Sequence, residues 1–157
     1  MKQEYVNAFL SPAQFVWQKE LGCALSLTGA EAVANQFTTE DLTAIIGVSG
    51  SLQGNVLYGL DGPTALAVAS TMVGEPVHHL DEISLSAIGE IANMITGNAS
   101  TRLADEGYAC YISTPVIIEP AGSRFTTVGG QAILVYFASA LGTLKIRISL
   151  HETASRM

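Results

Sequence analysis

The sequence predicts an α+β protein in which helices pack on an antiparallel sheet. Segments with helical apolar periodicity stand at the start and in the middle of the chain, and short apolar runs bounded by glycines lie between and after them. Connections this short join antiparallel strands, because parallel strands need a longer crossover. The predicted order of elements is α-ββ-α-α-βββ, and we expect one domain that spans residues 1–157.

The first predicted element is a helix over residues 4–21, because apolar side chains recur there at three- and four-residue steps. A hairpin is predicted next, with strands over residues 42–48 and 55–60. Both runs are apolar and partly β-branched, which favours strands. Glycines separate the two runs, so the turn is expected between Gly50 and Gly54.

Two helices are predicted after the hairpin. The first covers residues 64–73, with Asp61 at its start and Gly74 at its end. The second is longer and covers residues 82–105, with Asp81 as its N-cap. Aspartate is a favoured N-cap residue and glycine a favoured C-terminal residue, so each boundary has a local chemical reason.

Three strands complete the prediction, over residues 108–118, 131–139 and 143–150. The last of these alternates strictly between apolar and polar side chains. A strand with that alternation has one face on the core and one face in water. We therefore expect the polar side chains of residues 143–150 to be solvated.

Composition limits the partners and the location of the protein. Apolar residues make up 48% of the chain, and its formal net charge is −7. A shortage of basic residues argues against nucleic acid and against an anionic membrane surface as partners. No apolar run is long enough to span a bilayer, the N-terminus lacks a signal-peptide pattern, and the two cysteines form no C-x-x-C motif. We therefore expect a cytoplasmic protein.

The long predicted helix has an unusual exposed face. On a helical wheel, one side carries its apolar stripe, and the opposite side collects Ser86, Glu90, Asn93, Gly97, Thr101 and Ala104. Solvated helix faces normally carry long charged side chains, whereas here a carboxylate and a carboxamide stand among small residues. A glycine inside a helix costs about 1 kcal/mol relative to alanine. The close approach of another molecule would account for its presence.

Glu90 and Asn93 are three residues apart, so their side chains are neighbours on the helix surface. A glutamate can hold an ammonium group, and an asparagine can orient a water molecule through its donor and its acceptor. Aligning a water with a phosphorus atom is one way to hydrolyse a phosphoryl group. The same E-x-x-N pattern occurs at Glu4 and Asn7, where we expect no catalytic role, so the tetrapeptide alone is weak evidence.

A longer stretch around this pair resembles a known family. Residues 85–98, LSAIGEIANMITGN, closely resemble the signature helix of the CheC/CheX/FliY family of bacterial chemotaxis phosphatases. The Asp81-Glu82 lead-in and the glycine-punctuated residues 46–56 are similar to the same family. In element order and length, the chain is similar to the CheX branch over roughly residues 1–150.

The resemblance implies a CheX-like (CheC-like) fold and a phosphatase that acts on the aspartyl phosphate of a CheY-type response regulator, in chemotaxis or another two-component pathway. It implies that Glu90 binds the regulator's lysine and that Asn93 aligns the attacking water. We expect Ser86, Gly97 and Thr101 to form the docking face for the partner. The Mg²⁺ ion is expected in the partner's receiver domain, so the chain would need no cofactor or metal of its own. The resemblance also implies a homodimer.

One alternative of a different class stays open at this point. A dimeric adaptor, or a module like those of the flagellar switch complex, could bind phosphorylated receiver domains without turnover. The small-residue face around Gly97 would serve an adaptor as well as an enzyme.

Overall fold

A central antiparallel sheet organises the molecule. A computed structural model describes residues 1–119, 121–127 and 130–153, so residues 154–157 of the predicted domain lie outside it. Within these ranges the elements are α1 (Gln3–Leu21), β1 (Ser26–Val33), β2 (Gln36–Thr38), β3 (Leu42–Gly50), β4 (Leu52–Leu60), α2 (Gly62–Val73), α3 (Glu82–Asp105), β5 (Cys110–Ile112), β6 (Val116–Ile118), β7 (Arg124–Thr126), β8 (Ala132–Ser139) and β9 (Gly142–Glu152).

The sheet has one continuous hydrogen-bonded order. Among the described residues, seven strands form it in the order β1-β8-β9-β4-β3-β5, and β6 pairs with another part of β3. Every described pairing is antiparallel, as predicted. A separate ribbon of β2 and β7 pairs antiparallel, and we refer to it as the β2–β7 ribbon. The predicted α+β class is therefore confirmed.

The helix boundaries follow the predicted caps. Asp61 Oδ1 accepts a hydrogen bond from the Thr64 amide at 2.8 Å, and Asp81 Oδ1 accepts one from the Ser84 amide at 2.9 Å. These bonds satisfy amides that have no partner inside the helix. Hydrogen bonding from Ser84 also holds the pKa of Asp81 below its ordinary value. In the described part of the chain, no helix is both long and apolar enough to cross a membrane.

The helices pack on one face of the sheet and enclose the core there. Trp17 and Phe9 of α1 are fully buried, as is Phe137 of β8. Tyr58 of β4 and Thr96 of α3 share a buried hydrogen bond of 2.7 Å between their hydroxyl groups. This contact ties α3 to the sheet, and burial raises the pKa of the Tyr58 hydroxyl. The helix with the predicted site is therefore held on a rigid support.

The first hairpin is tighter than predicted. Its strands run to Gly50 and resume at Leu52, so Gly54 lies inside β4 and not in the turn. Gly54 has a φ of +146°, and a Cβ at this position would lie 1.8 Å from the Ser149 carbonyl oxygen of β9. Glycine is required there because the neighbouring backbone approaches so closely.

The predicted strand over residues 108–118 is divided in two. The interruption falls between β5 and β6, where Pro115 lacks an amide hydrogen for a strand ladder. Ser113 holds this connection against β3, because its amide donates to the Gly47 carbonyl at 2.9 Å and its hydroxyl accepts from the Gly47 amide at 2.8 Å. The interruption is therefore a fixed feature next to α3.

Two further expectations about the strands were wrong. The polar face of β9 is solvated only in part: Thr143 is exposed and Lys145 is half-buried. Arg147 is only 8% exposed and Ser149 only 2%. The β2–β7 ribbon covers part of that face, and the Phe37 ring lies 4.0 Å from the Arg147 guanidinium carbon. The predicted order also omitted β1, β2 and β7, and it treated β5 and β6 as one strand. Most residues of β1 are exposed, so the strand lacks a strong apolar period.

Candidate functional site

The exposed face of α3 borders an open groove of about 570 Å³. Three of the residues proposed from sequence, Ser86, Glu90 and Asn93, line this groove together. The opposite wall comes from the β5–β6 connection and β6. The remaining lining residues are Leu80, Asp81, Glu82, Leu85, Gly89, Thr114, Pro115 and Ile117.

The two candidate catalytic side chains are free to act on another molecule. Glu90 is exposed and Asn93 is half-buried. Side-chain hydrogen bonds on α3 are made by Thr96, Ser100 and Thr101, and within the described residues neither Glu90 nor Asn93 makes one. Within the described residues, the ion pairs join Lys2 and Lys145 to glutamates other than Glu90. The Glu90 carboxylate therefore has no cation beside it there. Both groups are available to a partner.

At Gly89 the opposite wall of the groove lies close to α3. A Cβ at this position would lie 3.5 Å from Pro115 Cγ and 3.5 Å from Ile117 Cδ1, which is ordinary van der Waals distance. A methyl group would therefore fit at Gly89, whereas a longer side chain would meet Pro115 and Ile117. Thr114, Pro115 and Ile117 were not predicted as site residues, because their place beside α3 depends on the pairing of β6 with β3. No local motif in the sequence marks them.

The proposed docking face extends beyond this groove. Ser86 lies in the groove, whereas Thr101 lies in a second open depression of about 430 Å³ between α1 and α3. Gly97 lies on the helix between them, and no heavy atom outside its own helix backbone stands within 4 Å of where its Cβ would be. Gly97 therefore lies on an open part of the α3 surface, and Thr101 does not lie beside Glu90.

The second E-x-x-N pair has internal partners. Glu4 Oε1 accepts a hydrogen bond of 2.7 Å from the Tyr108 hydroxyl, and this bond lowers the pKa of Glu4. Asn7 Oδ1 accepts a bond of 3.0 Å from Gln3. Tyr108 also packs edge-on against Tyr5, with ring centroids 5.1 Å apart. These contacts support a structural role for Glu4, which joins α1 to the segment after α3.

The described residues offer no ligand set for a metal ion. No group of three or more His, Cys, Asp or Glu side chains is clustered among them. The chemical groups that converge on the α3 groove are a carboxylate, a carboxamide and hydroxyls. Such groups can hold a cation and orient water, but they supply no strong nucleophile of their own.

The architecture is that of the CheC-like class. A CheC-like superfamily protein from Shewanella sp. PV-4 has a crystal structure that superposes with a TM-score of 0.85. It is 26% identical, and the match covers 96% of this chain and 99% of the Shewanella chain. The CheX subunit fold in the crystal structure of the CheX–CheY–BeF3–Mg²⁺ complex from Borrelia burgdorferi is also similar, with a TM-score of 0.79 at 23% identity over 94% of this chain and 98% of that chain.

Sequence comparison narrows the class to a family. The family model described as chemotaxis phosphatase CheX matches residues 42–139, which is more than half of the chain. The CheY-P phosphatase CheX of Thermotoga maritima is 28% identical over 130 residues, which cover 82% of this chain and 84% of the relative. The chain belongs to the chemotaxis phosphatase CheX family.

Proposed function

We propose that this protein hydrolyses the aspartyl phosphate of a CheY-type response regulator, and that Glu90 and Asn93 enter the receiver's active site from α3. The observation that carries the proposal is the pair of unengaged side chains on one exposed helix face, beside an open groove. Membership of the CheX family and the CheY-P phosphatase name of the Thermotoga relative support the activity and the class of substrate.

Asn93 is proposed to align the attacking water. Its carboxamide both donates and accepts hydrogen bonds, so it can hold a water in one orientation without removing a proton. Phosphoryl transfer depends mainly on positioning and on charge stabilisation, and an acyl phosphate already has a good leaving group. Asn93 is half-buried on α3, which limits the freedom of its side chain and favours a defined geometry for the water.

Glu90 is proposed to bind the lysine that, by the family resemblance, lies in the active site of the receiver domain. Its carboxylate is exposed and has no cation beside it among the described residues. A docked receiver would exclude water around this pair, and a desolvated ion pair interacts more strongly than an exposed one. Glu90 would therefore set the register of the complex and so direct Asn93 to the phosphoryl group.

The Mg²⁺ ion is proposed to come with the partner. The Borrelia burgdorferi complex of CheX with CheY contains BeF3 and Mg²⁺, which supports a metal that is bound when the receiver is present. The protein would then contribute the water-aligning carboxamide and the docking carboxylate, and the receiver would contribute the metal and the phosphoryl group. Mg²⁺ typically binds through one or two carboxylates together with phosphate oxygens, which suits a receiver site.

A turnover assay tests the proposed activity. Phosphorylated receiver domain is mixed with a catalytic amount of the protein, and phosphate release is followed against the receiver's spontaneous loss. Acceleration at substoichiometric concentration supports the phosphatase. Binding without acceleration supports the adaptor, whereas neither binding nor acceleration with any CheY-type receiver of the same organism would contradict both.

Removing the charge of Glu90 is expected to weaken the complex. Glu90→Gln keeps the size of the side chain but leaves the receiver's lysine unpaired, which typically costs about 2–5 kcal/mol of binding. KM for the phosphorylated receiver should rise at least tenfold, and the affinity measured by calorimetry should fall in parallel. Glu75→Gln, an exposed glutamate outside the groove, serves as the control and should match wild type.

A bulky side chain at Gly97 is expected to block docking without unfolding the helix. Gly97→Leu introduces a good helix former where no neighbouring atom stands within 4 Å, so stability should rise by about 0.5–1 kcal/mol. Receiver affinity should nevertheless fall about tenfold or more, because the leucine side chain would stand on the surface where the receiver is proposed to dock. Thr71→Leu, at an exposed position of α2, is the control. Unchanged affinity in Gly97→Leu would remove Gly97 from the docking face.

The homodimer implied by the family resemblance is part of the same proposal. In the described chain, the outer edge of β1 has no paired strand, and Leu27 on it is 47% exposed. An unpaired strand edge can pair with a second copy. Light scattering is expected to give twice the chain mass of 16.5 kDa. A mass of one chain at micromolar concentration would contradict the dimer.

A further inference from the structure

A small cavity lies on the side of the sheet away from α3. It has a volume of about 50 Å³ and lies between the β2–β7 ribbon and the strands below it. Its lining residues include Phe37, Glu40, Thr43, Gly59, Lys145 and Arg147. No residue that lines this cavity also lines the α3 groove, so the cavity belongs to a different part of the molecule.

Arg147 is the unusual residue of the cavity. It stands on β9 inside the sheet, opposite Leu57 of β4 and Leu134 of β8, and is 8% exposed. Its guanidinium lies under the Phe37 ring, and Nη2 donates to the Ala34 carbonyl. Its buried Nε has no hydrogen-bond partner among the described residues. Arginine is almost never this buried unless it is paired.

The charges that line the cavity leave Arg147 uncompensated. Glu40 is the carboxylate among the lining residues, and its Oε1 lies 2.7 Å from Lys145 Nζ. The Lys145 ammonium therefore already balances Glu40, and one positive charge remains. An unpaired charge removed from water costs several kcal/mol. Burial correspondingly lowers the pKa of the Arg147 guanidinium.

A second polar group in the cavity lacks a partner. Thr43 of β3 is 3% exposed, and its Oγ1 is buried without a hydrogen bond within the described ranges. The sheet register places Gly59 opposite Thr43 and Lys145 opposite Gly59. Gly59 carries no side chain, so the Glu40 side chain can cross above it to reach Lys145. Thr43 and Arg147, the two residues with these unpaired polar atoms, thus both line the cavity.

We propose that this cavity binds a small oxyanion, either inorganic phosphate or a carboxylate group, through the Arg147 guanidinium and the Thr43 hydroxyl. A guanidinium and a hydroxyl are both donors, and oxyanions supply the acceptors that match them. A bound water could bond to Nε but would not balance the charge. A single water needs a cavity of about 10–15 Å³, so this cavity has room for several heavy atoms.

The competing explanation is that Arg147 only clamps the ribbon to the sheet. Its contacts with Ala34 and Phe37 are sufficient for such a clamp. A clamp does not explain why the Arg147 Nε and the Thr43 hydroxyl are buried without a hydrogen-bond partner among the described residues. A useful experiment must therefore change Thr43, which leaves the clamp in place, and must observe the Arg147 Nε–H directly.

Nuclear magnetic resonance of the arginine Nε–H groups provides that observation. The Arg147 signal is assigned by its loss in Arg147→Lys, or by triple-resonance spectra if that variant fails to fold. Sodium phosphate and sodium acetate are titrated separately against sodium chloride at constant ionic strength. The proposal predicts a saturable shift of this signal with at least one of the two oxyanions. A shift with phosphate alone identifies a tetrahedral anion, and a shift with acetate identifies a carboxylate.

Thr43→Val supplies the matched variant, because valine has the shape of threonine without the hydroxyl. It should weaken the oxyanion affinity at least tenfold and, in chloride buffer, should keep or raise the melting temperature, since it removes a buried unsatisfied hydroxyl. Thr126→Val on the ribbon, outside the cavity, should bind as wild type. The absence of a saturable shift with both oxyanions, or unchanged affinity in Thr43→Val, would overturn the proposal. Neither result bears on the phosphatase assay.

Discussion

Asn93→Ala is expected to lower the rate of receiver dephosphorylation by about 100-fold or more, which is the usual scale for a positioned catalytic group. The substitution removes both the donor and the acceptor that are proposed to hold the attacking water, while Glu90 is left to bind the partner. Affinity for the phosphorylated receiver should therefore change little. Phosphate release measured under single-turnover conditions, together with calorimetric binding, separates these two effects.

The control for Asn93→Ala is Asn98→Ala. Asn98 is exposed on the same helix but lies in the depression shared with α1 and not in the α3 groove. Both substitutions favour the helix, because alanine has the higher helical propensity, so neither should unfold the protein. An Asn93→Ala protein that dephosphorylates the receiver as fast as Asn98→Ala would remove Asn93 from the mechanism.

The largest expected effect on stability comes from Gly54→Ala. A Cβ at Gly54 would lie 1.8 Å from the Ser149 carbonyl oxygen, and the backbone φ of +146° is unfavourable for any residue with a side chain. Strand β4 would have to move away from β9, which is its neighbour in the middle of the sheet. The expected cost is about 3 kcal/mol or more, a large part of the stability of a typical domain.

Gly74→Ala separates strain from collision. Gly74 also has a positive φ, of +85°, but no atom stands within 4 Å of where its Cβ would be. Its substitution should cost only about 1–2 kcal/mol, from the left-handed backbone alone. Urea denaturation of both variants measures the difference, with equal m-values as the check on two-state unfolding. Equal losses in the two variants would show that β4 and β9 adjust freely around residue 54.

Local chemistry was sufficient to predict the helices. Asp81 was predicted as the N-cap of the long helix, and its carboxylate does accept the hydrogen bond from Ser84. The spacing of Glu90 and Asn93 predicted two side chains on one exposed face, and both line the same groove. Such predictions succeed because a helix is built from contacts within four residues, so its faces follow directly from residue spacing.

The strands were harder because their environment is not local. The alternation in β9 predicted a solvated face, yet Arg147 lies buried beneath Phe37, which is more than 100 residues away along the chain. The exposed edge strand β1 and the short strands of the β2–β7 ribbon carry little apolar pattern and were missed. Pairing partners decide which face of a strand is covered, and no periodicity within the strand records them.

The amino-acid sequence by itself determined the long helix, its caps and the two chemical groups on its outer face, because all of these depend on neighbours a few residues apart. Only the tertiary structure decided what stands opposite them. The groove wall of Thr114 and Pro115, its close approach at Gly89 and the covered cavity at Arg147 each join segments distant in the chain. Their positions follow from strand pairing and packing, which depend on the whole fold.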